Sequence, residues 1–253
     1  MGAAGAGNMG QAIARRLAED GAKVCVAGRN EAALSELAAI LDGTYALCDI
    51  TDPSAVSGMV RDMGIDYGRI DIAVNAVGWG LTKKFLNTTG EDLDKMLAVQ
   101  FKGPYFFMQS VIPAMQEQGG GSIIQISSAT ATLATQHHSA YAGTKAGIDH
   151  VIRTLAGEFG PYGIRINSIS PGFTKTPMTR EAARVPGMEE AFVAEYPLGR
   201  IGTRDDIAAA CAFLASDACF MTGQNLQVNG GLTLRRNPTA SEIAASIERA
   251  QDD

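Results

Sequence analysis

Two stretches decide the fold of this chain: SIIQISS at residues 122–128 and YAGTK at residues 141–145. The apolar run in the first stretch predicts a buried strand that ends in two serines. Apolar residues recur at helical spacing after the second stretch, which predicts a helix that opens with YAGTK. Tyr141 and Lys145 are four residues apart, so they lie on one face of this helix.

Tyr141 and Lys145 form a pair suited to proton transfer. A lysine cation beside a phenol favours the phenolate, so we expect Lys145 to lower the pKa of Tyr141 from about 10 toward the working pH. Ser128 ends the preceding strand and can hydrogen-bond the same substrate oxygen, because open parallel sheets bind ligands at strand ends. The Tyr–Lys spacing alone is weak evidence, since an ordinary helix with an exposed lysine shows it too.

The composition indicates an acidic protein with a large apolar core. Hydrophobic residues make up 46% of the 253 residues, and the formal net charge is −6. The negative charge argues against nucleic acid as a partner, which requires a basic face. No run approaches the roughly 20 apolar residues of a membrane span, and the N-terminus does not resemble a signal peptide. The four cysteines lack metal-ligand spacing, so we expect no metal site, only buried free thiols in a reducing cytoplasm.

Strand-like and helical segments alternate along most of the chain. The strand-like runs lie at residues 24–27, 44–48, 70–74, 123–126, 165–169 and 225–228. This alternation predicts an α/β fold with a mostly parallel sheet, in one domain that spans residues 1–253.

A glycine-rich stretch opens the chain and precedes an amphipathic helix. Its glycines match the pattern G-x-G-x-x-G, which lets backbone N–H groups and a helix N-terminus approach a pyrophosphate. The cofactor-binding candidates of this loop are Gly5, Gly7, Asn8, Met9 and Gly10. The motif normally follows a strand, whereas residues 1–4 supply at most the end of one. The usual first strand is therefore largely missing: either it lies upstream of this sequence, or the sheet is incomplete.

The position about 20 residues past the glycine loop selects the cofactor. An acid there would bind the ribose hydroxyls of NAD. Here the strand ends in Gly28-Arg29-Asn30, and Arg29 could pair with the 2′-phosphate of NADP. Glu31 comes late and is expected to begin a helix that Asn30 caps. NADP(H) is therefore favoured over NAD(H), with a solvated Arg29 as the alternative.

The catalytic spacing resembles that of the short-chain dehydrogenase/reductase family, and the resemblance covers nearly the whole chain. Ser128 lies thirteen residues before Tyr141, and Lys145 lies four after it. The resemblance implies a Rossmann-like doubly wound sheet and reversible hydride transfer between a nicotinamide and a carbonyl or alcohol. It also implies that Tyr141 is the proton donor or acceptor, that Lys145 holds the nicotinamide ribose, and that Ser128 polarises the carbonyl. Ser127 is expected to satisfy backbone groups.

Further motifs resemble the family's cofactor site. Asn75-Ala76-Val77-Gly78 resembles its N-N-A-G turn, and Asp49 resembles its adenine-side acid. Pro171-Gly172 with Thr176 resembles its P-G-x-x-x-T nicotinamide clasp. The cofactor contacts that the resemblance implies are thus Asp49, Asn75, Gly78, Tyr141, Lys145, Pro171, Gly172 and Thr176.

The chain departs from the family pattern at three places, of which the replacement of Asn and Ala by Ala76 and Val77 in the turn is the mildest. The glycine loop does not fit T-G-x-x-x-G-x-G, because anchoring that motif on Gly10 puts its other glycines at Ala4 and Asn8. Gln100 stands where most members carry the fourth catalytic residue, an Asn that supports a proton relay from the lysine. Part of that support comes from the backbone carbonyl, so we expect the relay to survive with Gln100.

Three other stretches carry open alternatives. Residues 176–200 follow a strand end and are expected to form a substrate lid, with a surface helix pair as the alternative. The polar tail at residues 235–253 contains a capping box at residues 239–242, which predicts a short helix. This helix would pack on the body of the protein or on a partner subunit, and a frayed end is the alternative. His137 and His138 are either substrate contacts or polar loop residues.

The sequence thus predicts an oxidoreductase that transfers a hydride between NADP(H) and a ketone or secondary alcohol, with Tyr141 as general acid/base. The expected partners are a small-molecule carbonyl or alcohol and further copies of this chain, as a tetramer or dimer, with no nucleic acid and no membrane. The main alternative is a cofactor-binding sensor or scaffold without turnover. An epimerase or dehydratase on the same fold is a weaker one.

Overall fold

Parallel strands and helices alternate along the chain, as the sequence predicts. The computed structural model describes residues 1–3, 5 and 7–252, so Ala4 and Ala6 of the glycine-rich stretch and Asp253 lie outside the described residues. The strands are β1 (Cys25–Gly28), β2 (Thr44–Leu47), β3 (Ile72–Asn75), β4 (Gly121–Ile126), β5 (Ile164–Pro171) and β6 (Asn225–Val228). The α-helices are α1 (Met9–Glu19), α2 (Glu31–Ile40), α3 (Pro53–Tyr67), α4 (Gly90–Leu97), α5 (Gly103–Glu117), α6 (Ser139–Phe159), α7 (Arg180–Ala183), α8 (Met188–Val193), α9 (Arg204–Ala215) and α10 (Ala240–Asp252).

The strands of the described chain form two parallel sheets with the segment Met1–Ala3 between them. One sheet pairs β1 with β2, and the other has the order β3-β4-β5-β6. The Gly2 N–H donates to the Ala27 carbonyl at 2.9 Å, and the Met1 amino group donates to the Val74 carbonyl at 2.9 Å. Both acceptors lie toward the carboxyl ends of their strands. As far as the described residues go, the N-terminal segment therefore supplies only the end of a strand, as predicted.

Helices cover both faces of the larger sheet. Ile123 and Ile166 pack on one face with side chains of α3, α5 and α6, including Phe107. Ile124 and Ile169 pack on the other face with side chains of α1 and α9. Neighbouring residues of a strand point to opposite faces, so consecutive apolar residues predict a sheet that is buried on both sides. The prediction of an α/β fold with a parallel sheet is confirmed.

Side-chain caps fix where the first two helices begin. The Asn8 side chain accepts from the Gln11 N–H at 2.9 Å as α1 opens at Met9. The Asn30 side chain accepts from the Ala33 N–H at 3.2 Å, so the predicted cap of α2 is confirmed. Such a cap contributes about 1 kcal/mol.

A π-helical turn at Ala98–Lys102 interrupts the regular α-helical stretch and joins α4 to α5. Gln100 lies in the middle of this turn and is fully buried. A π turn changes which way the following side chains point, and such turns are frequent at functional sites. The Gln100 side chain therefore points in a direction that a continuous α-helix would not give it.

Candidate active site

Most of the predicted site residues lie just beyond the carboxyl ends of the parallel strands. Parallel strands all point the same way, so these ends form one edge, where open α/β sheets bind ligands. In strand order the residues are Arg29 after β1, Asp49 after β2, Asn75 and Gly78 at the end of β3, Ser128 after β4, and Pro171 and Gly172 at the end of β5.

Ser128, Tyr141 and Lys145 come together where β4 meets the first turns of α6. The Ser128 hydroxyl lies close enough to the Tyr141 phenol to influence its pKa, and Lys145 Nζ lies 5.7 Å from the centre of the Tyr141 ring. Lys145 is 2% exposed, and its Nζ donates to the Ile126 carbonyl at 2.8 Å. Thr130 Oγ1 donates to Ser128 Oγ at 3.0 Å and orients that hydroxyl.

Burial dominates the ionisation of this cluster. Burial raises the pKa of Tyr141, and the influence of the Ser128 hydroxyl opposes that rise. Burial also lowers the pKa of Lys145 to about 8, and the charge of Asp149 opposes that fall. The expectation that the pKa of Tyr141 falls toward the working pH is therefore wrong, because desolvation of the phenolate outweighs the influences that favour its charged form. A raised pKa keeps Tyr141 protonated, which suits a proton donor.

Ser127 and Ser128 engage different partners. Ser127 Oγ donates to Asp149 Oδ2 at 2.7 Å, so the expectation that Ser127 satisfies backbone groups is wrong. Asn225 Nδ2 donates to the same carboxylate oxygen at 2.7 Å. No sequence motif identifies Asp149 as a site residue. Its position four residues after Lys145 on a helix does predict that the two side chains lie on one face.

Asn75 is buried in the sheet. Its Nδ2 donates to Gln125 Oε1 at 2.9 Å, and its Oδ1 accepts from the Val77 N–H at 3.1 Å. Gln125 Nε2 in turn donates at 2.9 Å to the Ile126 carbonyl, which also accepts from Lys145. The Asn75 side chain therefore shapes the turn that follows β3. Through Gln125 it also links this turn to the Ile126 carbonyl, which holds Lys145. Gly78, in the same turn, is exposed.

Gln100 lies beneath that turn. Its Nε2 donates to the Trp79 carbonyl at 2.8 Å, and its buried Oε1 finds no hydrogen-bond partner within the described residues. A side chain at Gly78 would come within 3.6 Å of both Gln100 Nε2 and Met178 Cε. Gly78 thus borders a narrow space between the π turn and the segment after β5.

The glycine loop packs closely against its surroundings. Asn8 Nδ2 donates to the Gly2 carbonyl at 2.8 Å, and a Cβ at Gly10 would collide with that same oxygen. Arg204 Nη1 donates to the Gly7 carbonyl at 2.9 Å. The last contact joins residues 197 positions apart, so no local pattern predicts it.

Arg29 and Asp49, the two predicted contacts on the adenine side, form a salt bridge with each other. Arg29 Nη1 lies 3.3 Å from Asp49 Oδ2, and the side chains are 79% and 40% exposed. A backbone hydrogen bond from Thr51 lowers the pKa of Asp49, with a smaller contribution from Arg29. An exposed pair of this kind contributes about 0–1 kcal/mol, so the guanidinium can turn toward a phosphate at little cost.

The predicted clasp follows β5. A Cβ at Gly172 would collide with the Tyr196 hydroxyl, which donates to the Phe173 carbonyl at 3.3 Å. Burial raises the pKa of Tyr196 to about 12. The Thr176 N–H donates to Thr179 Oγ1 at 3.1 Å, so Thr176 is held against the start of α7. Tyr196 therefore supports the clasp from beneath.

His138 lies near Tyr141 at 6.4 Å between ring centres. One ring nitrogen is 3.1 Å from Thr82 Oγ1, and the other is 2.8 Å from the Gln136 carbonyl. Both ring nitrogens of His138 are therefore engaged by neighbouring loop residues, which favours the interpretation of His138 as a polar loop residue.

The residues at this edge fit a nicotinamide cofactor. The Lys145 ammonium has three N–H donors, and the Ile126 carbonyl engages one of them. Gly78 leaves space without a side chain, and the Arg29 guanidinium is exposed on the adenine side. Within the described residues, no group of His, Cys, Asp and Glu could hold a metal ion. No helix in the described part of the chain is long and apolar enough to cross a membrane.

Comparison with known proteins decides the family. A family model described as enoyl-(acyl carrier protein) reductase matches residues 2–233. The chain is 35% identical over 236 residues to D-threitol dehydrogenase of Mycolicibacterium smegmatis, covering 91% of this chain and 90% of that protein. The chain belongs to the short-chain dehydrogenase/reductase family. Another family member, 3-oxoacyl-[acyl-carrier-protein] reductase of Escherichia coli, is 32% identical over 227 residues, covering 88% of this chain and 92% of the relative.

Solved structures of other family members share the fold. A short-chain dehydrogenase/reductase from Mycobacterium ulcerans superposes with a TM-score of 0.90 at 28% identity, covering 93% of this chain and 89% of that one. A gluconate 5-dehydrogenase from Burkholderia cenocepacia, in complex with NADP and tartrate, gives a TM-score of 0.87 at 29% identity, covering 90% and 92%. The protein is thus an oxidoreductase of this family that uses a nicotinamide cofactor and acts on alcohol or carbonyl groups of small molecules. The predicted family, fold class and enzyme class are confirmed.

We predict that Gln100→Asn changes turnover by less than about tenfold, or ~1.4 kcal/mol of barrier, because the backbone carbonyl of the π turn is retained. In contrast, Gln100→Leu removes the hydrogen bond to the part-buried Trp79 carbonyl and should lower the free energy of unfolding by about 1–3 kcal/mol. Steady-state kinetics and urea unfolding measure the two effects. A hundredfold gain in Gln100→Asn would show that the native relay is impaired.

Proposed function

We propose that this enzyme transfers a hydride between NADP(H) and a ketone or secondary alcohol, with Tyr141 as the general acid/base. The observation that carries the proposal is the meeting of Ser128, Tyr141 and Lys145 at the carboxyl edge of the sheet. A phenol, a hydroxyl and a buried ammonium that converge on one opening suit proton transfer to a carbonyl oxygen.

In carbonyl reduction, Tyr141 donates its phenolic proton to the substrate oxygen, and Ser128 donates a hydrogen bond to that same oxygen. A nicotinamide bound at this edge would supply the hydride for the carbonyl carbon. Lys145 stabilises the phenolate that forms on Tyr141, because an ammonium near a phenolate favours the charged form. Lys145 also has N–H donors to hold the nicotinamide ribose. Alcohol oxidation reverses these steps, and Tyr141 then accepts the proton.

Cofactor contacts follow the carboxyl edge. The glycine loop, with Asn8 and Met9 at the start of α1, would approach the pyrophosphate. Asp49, Gly78 and Pro171-Gly172 with Thr176 would line the adenine and nicotinamide sides, and Asn75 would act by holding the turn before Gly78. Arg29 follows β1 with an exposed guanidinium and no acid at position 28, which supports a preference for NADPH.

Residues 176–200, which contain α7 and α8, would act as a lid over the substrate. Met178 of this segment approaches Gly78 across the cleft. The tail beyond residue 235 ties the same segment to the loop before α6. Arg236 pairs with Glu195 at 3.4 Å and with Glu242 at 2.6 Å, and Asn237 Nδ2 donates to Thr135 Oγ1 at 2.7 Å. The predicted tail helix forms α10, and its capping box is present.

The enzyme would work as a homo-oligomer, either a dimer or a tetramer. Leu93, Leu97 and Tyr105 on the α4–α5 stretch are 41–44% exposed, which favours a protein partner over solvent for this surface. Light scattering measures the mass in solution, and a 26.5 kDa monomer would contradict this part of the proposal.

The substitution Tyr141→Phe should reduce turnover at least ~100-fold, because it removes the proton donor and leaves the rest of the ring in place. NADPH should still bind, and fluorescence of the bound cofactor checks that. If the Phe variant turns over within a few-fold of the parent, Tyr141 is not the general acid.

For the cofactor, Arg29→Ala should weaken NADPH binding by about tenfold or more while NADH binding changes little, since a charge-assisted hydrogen bond contributes ~1.5–3 kcal/mol. Arg69→Ala is the matched control, because Arg69 is also an exposed arginine paired with an aspartate, Asp71. Dissociation constants for both cofactors come from fluorescence titration. Equal losses for NADPH and NADH would refute the phosphate role.

For the lid, Arg236→Ala should raise the substrate KM several-fold and leave the NADPH dissociation constant unchanged, because it removes the salt bridge between the tail and Glu195, which follows α8. Arg249→Ala in α10 is the control, since Arg249 is an exposed arginine of the same tail. An unchanged KM in Arg236→Ala, with the fold intact by circular dichroism, would argue for a surface helix pair without a role in binding.

A further inference from the structure

A buried carboxylate lies behind the catalytic lysine, and the proposed mechanism does not use it. Asp149 is four residues after Lys145 on α6, so the two lie on one face of the helix. Its Oδ2 accepts from Ser127 Oγ at 2.7 Å and from Asn225 Nδ2 at 2.7 Å. Its Oδ1 is buried, and none of the described residues hydrogen-bonds it.

The Asp149 network joins three neighbouring strands. Ser127 directly follows β4, Ser168 is in the middle of β5, and Asn225 begins β6; Asn225 Nδ2 also donates to Ser168 Oγ at 2.9 Å. Asp149 is the acceptor at the centre of these donors. Burial raises the pKa of Asp149, and the hydrogen bonds that its carboxylate accepts, together with the charge of Lys145, oppose that rise.

Lys145 needs a compensating charge. Its ammonium is almost fully buried and donates to one neutral carbonyl, that of Ile126. A buried charge without an opposite charge is costly and tends to lose its ionisation. The side chains that face the Asp149 carboxylate from β4, β5 and β6 are the neutral Ser127, Ser168 and Asn225.

Tyr141 is the other titratable neighbour of Lys145, one helical turn earlier on α6. Within the described chain, Asp149 is the charged group that acts on the ionisation of Lys145, and Lys145 acts in return on Asp149.

We propose that Asp149 is a positioning residue that keeps Lys145 protonated and, through Ser127, fixes the strand end that presents Ser128 to the cleft. The two roles share one geometry. Ser127 and Ser128 are consecutive, so fastening the first behind the strand determines where the second points. Lys145 and Asp149 are anchored to adjacent residues of the same strand end, Ile126 and Ser127. This inference builds on the proposed function, but its first test does not depend on turnover.

The direct test is the pKa of Lys145 in the parent and in Asp149→Asn, measured by NMR on protein with ¹³C-labelled lysine side chains and assigned with Lys145→Arg. Asn keeps the size and an acceptor oxygen for Ser127 but removes the charge. Asp149 raises the pKa of Lys145, so its neutralisation should lower that pKa further below about 8, by on the order of one unit. Glu158→Gln, which neutralises an exposed carboxylate on the same helix, should leave it unchanged.

The kinetic consequence has a definite sign. A lower pKa means that Lys145 loses its proton at lower pH, so the alkaline fall in carbonyl reduction should move to lower pH in Asp149→Asn and stay in place in Glu158→Gln. Ser127→Ala keeps the charge and releases the strand end, so it should lower kcat without moving this pH limb.

An unchanged pKa of Lys145 in a folded Asp149→Asn would overturn the inference. If that variant does not fold, ¹³C-labelled aspartate in the parent protein decides instead: Asp149 must be ionised at pH 7, and a protonated carboxyl would overturn the charge role. If the parent shows no turnover while NADPH binds, the proposed function fails, and the NMR titration still tests Asp149 separately.

Discussion

The site depends on one hydrogen-bonded carbonyl, that of Ile126 at the end of β4. This oxygen accepts from Lys145 Nζ at 2.8 Å and from Gln125 Nε2 at 2.9 Å. Gln125 in turn holds Asn75, which holds the turn before Gly78. Burying an ammonium is costly unless its donors are engaged, so this carbonyl fixes Lys145 and with it the first turns of α6. Through this carbonyl, Lys145 and the turn after β3 belong to one hydrogen-bond network.

The glycine loop is held differently, through backbone contacts and few side chains. Gly10 packs against the Gly2 carbonyl so closely that only glycine fits, and Asn8 both caps α1 and bonds Gly2. The loop therefore keeps its position beside Met1–Ala3 even though it does not fit the family's usual glycine pattern. Arg204, which is distant in sequence, also holds the loop by donating a hydrogen bond to the Gly7 carbonyl.

Local spacing explains what the sequence could predict. Tyr141 and Lys145 are related by one helical turn and Ser128 by a strand end, so their meeting follows from secondary structure alone. The pairing of Arg29 with Asp49 and the burial of Asn75 against Gln125 could not be read locally, because they depend on which strands are neighbours. The sign of the Tyr141 pKa shift was also beyond a local pattern, since desolvation depends on the whole packed site. The position of Asp149, four residues after Lys145, predicts that the two side chains share one face of the helix, but no sequence motif identifies Asp149 as a site residue.

The most direct measurement of the central claim follows the hydride itself. The enzyme is given NADPH that carries deuterium at C4 of the nicotinamide ring, in each of its two stereochemical forms, together with a panel of ketones. We expect an alcohol with one deuterium on its carbinol carbon from one form of the cofactor, detected by mass spectrometry, and no such product with Tyr141→Phe. NADPH that binds without forming any alcohol, or an alcohol without deuterium from either form, would contradict it.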